Sequence, residues 1–183
     1  MTLETVAHPE VGTWAIDPAH TVVGFSARHL MAAKVRGSFE VFSGTIEIGE
    51  NPEASSVAVT IDAASITTGA ADRDTHLRSP DFLDSGTFPN LEFRSTGVRR
   101  EGDDYVVEGE LTIRGVTEPV TLDLEYHGVA TDPWGNDKAL FSATTKIERE
   151  AWGLTWNAPL EAGGWLVGKT VDIELEIQAA KAG

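Results

Sequence analysis

At 183 residues, with 41% hydrophobic and 23% charged residues, the chain has the composition of one ordinary globular domain with a substantial core. Its net charge of −15 argues against nucleic acid and against anionic membrane surfaces, both of which want basic patches. The absence of cysteine excludes disulfides, thiolate catalysis and zinc–sulfur sites.

Residues 1–12 read as a flexible arm, and 13–179 as one domain. The opening stretch, MTLETVAHPEVGTWAID, has neither a basic n-region nor an apolar h-region. No signal peptide is therefore expected, and the cytoplasm is the simplest address. A chain whose leader had been removed would read the same and would be periplasmic or secreted. No run of about eighteen apolar residues occurs, so no membrane span or stable insertion is expected.

Trp14 to Ile16 reads as a short strand ended by the Asp17-Pro18 turn. From Thr21 to Leu30, Val23, Phe25, Ala27 and His29 share one face, with Ser26 and Arg28 opposite. That is the period of a half-buried strand, and it puts His29 in phase with the apolar side. In Lys34 to Ile48 the apolar residues sit first on odd positions (Val35, Phe39, Val41) and then on even ones (Ile46, Ile48). The change of phase calls for a bulge or bend, expected at Ser43-Gly44. Val57, Val59 and Ile61 alternate cleanly.

Thr67 to Pro89 is the one sizeable central stretch without strand periodicity. Ala71 to Arg78 is predicted as a short helix, with Asp74 and Arg78 at the favourable i,i+4 order. Pro80 ends it, and a further turn restarts with Ser79 as its cap. This segment is either a plug over something hollow or a plain surface crossover.

Leu91 and Phe93 resume period two. Tyr105, Val107, Leu111 and Ile113 follow on one face, then Val120, Leu122, Leu124 and Tyr126. After the Asp132-to-Asp137 hairpin loop come Phe141, Ala143, Thr145 and Ile147. Glu150 to Lys169 is a long loop with Trp152, Trp156 and Trp165, which either lid the end of the domain or plug its floor. Val171, Ile173, Leu175 and Ile177 form the last and cleanest strand. The fold class is all-β: about eight antiparallel strands in a sandwich or barrel with one short embedded helix.

Two motifs are set aside. Gly163 to Thr170, GGWLVGKT, fits the phosphate-loop pattern, but a strand follows it where the mechanism needs a helix. The five histidines share no metal-ligand spacing, and no nucleophile elbow is present. No catalytic residue, metal or cofactor is assigned.

Three stretches together resemble a known family: WAIDPAHTVVGFSARHL with VRGSFEVFSGTI, ASITTGAADRDTHLRSPDFLD with FPNLEFRST, and GELTIRGVTEPVTLDLEYHG. They look like the YceI-like family of lipocalin-like, polyisoprenoid-binding proteins, over about Thr13 to Ile177. The resemblance implies a lipocalin-like antiparallel barrel, an elongated apolar interior holding a long isoprenoid or similar amphiphile, and a homodimer. Two departures stand out: DFLD where DFFD is common, and REAWG at residues 149–153 where the family reads closer to RSDFG.

Three functions follow as expectations. The first is a non-enzymatic carrier of a polyprenyl-like chain or isoprenoid quinone. Its apolar contacts would come from Phe25, Phe39, Val59 and Phe93, together with Leu111, Leu122 and Phe141. Phe82 and Trp156 would close the ends. A head group would meet His29, Arg73, Asp74 or His76, unless Arg73 and Asp74 merely pin the helix. The second is an enzyme acting on a small hydrophobic substrate with His29 or His76 as base. The third is a stress-related barrel filled by its own side chains.

Overall fold

A computed structural model of the chain describes residues 8–182. In chain order its strands are β1 (Gly12–Ile16), β2 (Val22–His29), β3 (Ala33–Phe39), β4 (Phe42–Ile48), β5 (Ser56–Asp62) and the two-residue β6 (Ile66–Thr67). The helix α1 (Ala71–Arg78) follows, and then β7 (Asn90–Glu101), β8 (Asp104–Ile113), β9 (Val116–Thr131), β10 (Asp137–Glu148) and β11 (Val167–Lys181). All pairings are antiparallel, and the order β1-β4-β5-β7-β8-β9-β10-β11 closes when β11 returns to β1. The protein is a closed eight-stranded barrel with one helix. The end with the β9–β10 hairpin is called upper, and the end with the β2–β3 hairpin lower.

The barrel wall is broken in two places, each for a local reason. Between β1 and β2, Asp17 leaves the sheet and accepts the Ala19 N–H at 3.0 Å to cap a Pro18–His20 turn. Here β11 changes partner, from Val22–His29 below to Trp14–Ile16 above. Lys138 and His20 each lie 2.9 Å from Asp17 Oδ2, and these bonds, Lys138 first, draw its carboxyl down to about 2. Between β3 and β4 the kink lies at Glu40–Val41, not at Ser43-Gly44 as the alternation suggested. Glu40 N–H donates to Ser65 (3.2 Å) and Asp62 N–H to Val41 (2.9 Å), holding the bend from the neighbouring strand. Val41 is consequently 56% exposed rather than inward. Gly44 serves another need: a Cβ there would stand 2.7 Å from Ile16 Cδ1.

The expected arm falls partly on residues 1–7, outside the described residues. Residues 8–11 are held in place: Pro9 is buried, and Trp14 Nε1 donates to the Glu10 carbonyl at 2.9 Å. At the lower end, β3 pairs with β6 only at Ser38 and Phe39. The chain from Ala63 to Pro89, including α1, covers the gap beyond. Arg114 Nη1 donates to the Phe82 carbonyl (3.2 Å), tying this cover to the β8–β9 turn. No helix among the described residues is long and apolar enough to cross a membrane.

Candidate functional site

Several inward residues of the barrel are not fully buried. Phe25, Phe39, Val59 and Leu122 point inward and keep part of their surface uncovered. The cause is a hollow. A lower chamber of about 240 Å³ and an upper one of about 130 Å³ share six wall residues: Ile16, Val59, Phe93, Leu122, Leu175 and Ile177. The two therefore adjoin along the barrel axis at a waist made by these six residues. The barrel is not filled by its own side chains, contrary to the third expectation. Carbon atoms make almost all of the wall in both chambers.

The predicted apolar contacts sort cleanly along this axis. Phe25, Phe39, Phe82 and Leu111 line the lower chamber. Val59, Phe93 and Leu122 form half of the waist, and Phe141 lines the upper chamber. The polar candidates are elsewhere. Thr68 donates its N–H (2.8 Å) and its hydroxyl (2.5 Å) to Asp74 Oδ1. Arg73 donates to the Thr68 hydroxyl (2.7 Å) and carbonyl (2.8 Å). Both side chains thus bond to Thr68, the residue that follows β6, and line neither chamber. The Thr68 hydroxyl, against the opposing pull of burial, holds the Asp74 carboxyl below its ordinary value.

His76 also stands outside the chamber walls. It lies 2.9 Å from Asp81 and packs edge-on against Phe82 (5.0 Å) and Trp156 (4.6 Å). Trp156 therefore meets the cover rather than the cavity, and only Phe82 of this trio touches the interior. His29 ends β2 beside Val167 and lines neither chamber. The four polar candidates are not brought together. Among the described residues no three histidine or acidic side chains are placed to hold a metal ion.

Two residues close the floor: Trp152, one of the loop tryptophans expected to lid or plug the end, and Arg149, which had no signal beyond the unusual REAWG run. Arg149, 3% exposed, donates to the carbonyls of Gly168 (2.8 Å), Leu154 (2.5 Å) and Val167 (3.4 Å). Burial lowers its pKa, yet its nitrogens turn to backbone, and only its stem meets the apolar chamber. Trp152 is buried beside it, with Nε1 donating to the Leu111 carbonyl at 2.8 Å. At the other end the upper chamber gains a few polar neighbours: His8, Ser55, Ser56, Tyr105 and Tyr126. Burial, with Tyr105 nearby, pushes the Tyr126 hydroxyl up to about 12, so it stays protonated.

The sequence profile of the YceI-like domain matches residues 14–179. The chain belongs to the YceI-like family. It is 45% identical over 130 residues to protein YceI of Escherichia coli, covering 70% of this chain and 68% of that one. It is 43% identical over 137 residues to protein YceI of Salmonella newport, covering 74% and 72%. Among solved structures, Burkholderia cenocepacia BcnA superposes with a TM-score of 0.75 at 25% identity, over 89% of this chain and 98% of that one. A polyisoprenoid binding domain from Saccharophagus degradans shares the fold, with a TM-score of 0.70 at 14% identity over 94% and 100%. The YceI-like barrel is thus the frame in which the two chambers sit.

Proposed function

We propose that this YceI-like barrel binds one long apolar amphiphile, a polyisoprenoid or isoprenoid quinone, and carries or sequesters it. The observation that carries the reading is the pair of adjoining chambers walled almost entirely by carbon. An apolar cavity of this kind stays dry and takes up hydrocarbon. Left empty, about 240 Å³ costs on the order of 6 kcal/mol at roughly 24 cal/mol per Å³. A tail filling it recovers about 25 cal/mol per Å² of apolar surface removed from water. The eight-stranded geometry suits one slender ligand. The fold shared with a domain described as polyisoprenoid binding fits the same reading.

The part of the ligand in the lower chamber carries no heteroatom in this account, because the wall there is almost entirely carbon. Its head stays at a mouth. His29 and His76, set outside the chambers, are given no chemistry. The homodimer implied by the family resemblance belongs to the same proposal.

Native mass spectrometry of the purified chain, followed by solvent extraction, tests it. The expected result is a stoichiometric prenyl lipid or quinone on each chain, with the dimer mass in the same spectrum. If the chain is apo and also fails to take up an added polyprenyl quinone, the carrier reading is overturned.

A further inference from the structure

The β2–β3 hairpin breaks the rules of its own local chemistry. Its turn closes with the Ala32 N–H on the His29 carbonyl (3.2 Å), and both central residues have positive φ, Leu30 at 54° and Met31 at 68°. That is the signature of a type I′ turn, where Asn-Gly is the favoured pair. Leucine and methionine there are strained, and they are also exposed, at 54% and 64%. Strain of this sort persists where it serves a function.

Trp165 joins them. Leu30 N–H donates to the Leu166 carbonyl (2.9 Å), and Met31 Sδ would lie 3.1 Å from a Cβ on Gly164. Trp165 is 48% exposed, so three large apolar side chains crown the lower mouth together. Beside them the outer face of the hairpin is basic. Arg28 stands directly opposite Lys34, and Arg36 is next on the same face. Like charges facing each other across a strand pair are destabilising. Among the described residues no carboxylate lies within 4 Å of any of the three, whereas nearby Asp172 faces Lys146 (3.7 Å) and Glu150 faces Lys169 (3.7 Å). The loop that carries Trp165 holds two acids, Glu150, which faces Lys169, and Glu161. Guarding an exposed sheet edge explains a lysine on β3. It does not explain the apolar crown.

We infer that this mouth docks on an anionic lipid bilayer. Leu30, Met31 and Trp165 enter the headgroup layer, and Arg28, Lys34 and Arg36 meet the lipid phosphates. A basic rim around a small apolar tip is the charge and shape complement of such a surface. The net charge of −15 keeps the rest of the molecule off it and orients the approach. The lower chamber lies directly behind the hairpin, since Ala27 and Val167, beside it, are part of its wall. That docking serves loading rests on the carrier reading; the docking itself does not.

Flotation of the full chain with vesicles tests it. The vesicles are phosphatidylcholine alone, or phosphatidylcholine with phosphatidylglycerol, and hold no isoprenoid, so the result is independent of cargo. Binding is expected only with the anionic vesicles and should weaken above about 0.1 M salt. Arg28→Gln/Lys34→Gln/Arg36→Gln should weaken it on the order of 100-fold, near a factor of five per charge. Leu30→Asn/Met31→Asn suits the positive-φ turn, so it should fold while losing most of the binding. Cooperative melts with midpoints at or above wild type in both variants establish that they fold. The inference is overturned if the wild-type chain ignores anionic vesicles, or if binding survives both variants. It is equally overturned if the Asn pair abolishes self-association while no vesicle binding is seen, which makes the face a dimer contact.

Discussion

The β9–β10 hairpin at the upper end and the β2–β3 hairpin at the lower end both carry large apolar groups to the surface, in opposite surroundings. Above, Trp134 is 84% exposed between Asp132 and Asp137, on a turn relaxed by Gly135 at φ +85°. Asp132 accepts the Trp134 and Asn136 N–H groups at 2.9 Å each, so its charge is already used in shaping the loop. Below, Leu30 and Met31 hold a strained turn between Arg28, which donates to the Ala32 carbonyl at 2.8 Å, and Lys34, and among the described residues no carboxylate lies within 4 Å of either cation. The upper hairpin is locally self-consistent, while the lower one is not. Local inconsistency that the fold tolerates marks where function is to be sought.

The largest effect is expected from separating the two ends. Leu122 stands in the waist shared by both chambers. Leu122→Phe narrows the passage with carbon alone, introducing no polar atom. A tail that loses roughly 110 Å² of buried apolar surface forfeits about 2.7 kcal/mol, on the order of 100-fold in affinity. Titration with a fluorescent long-chain prenyl probe should show that loss, while a short hydrocarbon still binds the lower chamber. Equal retention of long and short ligands would show that they do not run through the waist.

The fold was largely legible because strands with one wet face announce themselves by alternation. Val171 to Gln178 is the clearest instance, and it became the strand that pairs with three others. The helix at Ala71 to Arg78 was marked by its charge spacing and by Pro80. What could not be read depends on contacts distant in sequence. The β3–β4 bend sits at Glu40–Val41 because Ser65 and Asp62 hold it there. Arg73 and Asp74 have the chemistry of ligand contacts, but Thr68 reaches them first. Net charge was the least informative quantity about partners. It averages an acidic molecule with one basic hairpin and so hides the hairpin.

Two acids compare the joints that hold the ends in place, Asp17 at the β1–β2 break and Asp74 under the cover. Both are held below the ordinary 3.8, Asp17 at about 2 through Lys138 and His20, and Asp74 through Thr68. A depressed folded-state pKa means stability that is complete above about pH 4 and is lost as pH falls through the folded value. Asp17→Asn and Asp74→Asn should each lower the neutral-pH stability by about 2 kcal/mol, roughly 4–8 °C in midpoint. For Asp17 the gap from wild type should close between about pH 4 and pH 2, and for Asp74 it should shrink as pH falls below about 4. Thermal melts across that range check it, and a gap that stayed constant would show that neither carboxylate carries charge-dependent stability.

The smallest effects separate the two exposed tryptophans. Trp134→Ala removes a side chain that touches little and should change stability by less than about 0.5 kcal/mol. It should leave vesicle binding where it was, because its neighbours Asp132 and Asp137 repel an anionic surface. Trp165→Ala should be as mild for stability, since about half of that ring is already in water. It should nonetheless weaken anionic vesicle binding about tenfold, the loss of roughly 55 Å² of apolar surface that would otherwise enter the headgroup layer. Measuring both variants side by side removes general effects of losing an indole. Equal weakening by the two would erase the functional difference between the ends, and a loss at Trp165 alone would fix the lower hairpin as the end that meets the bilayer.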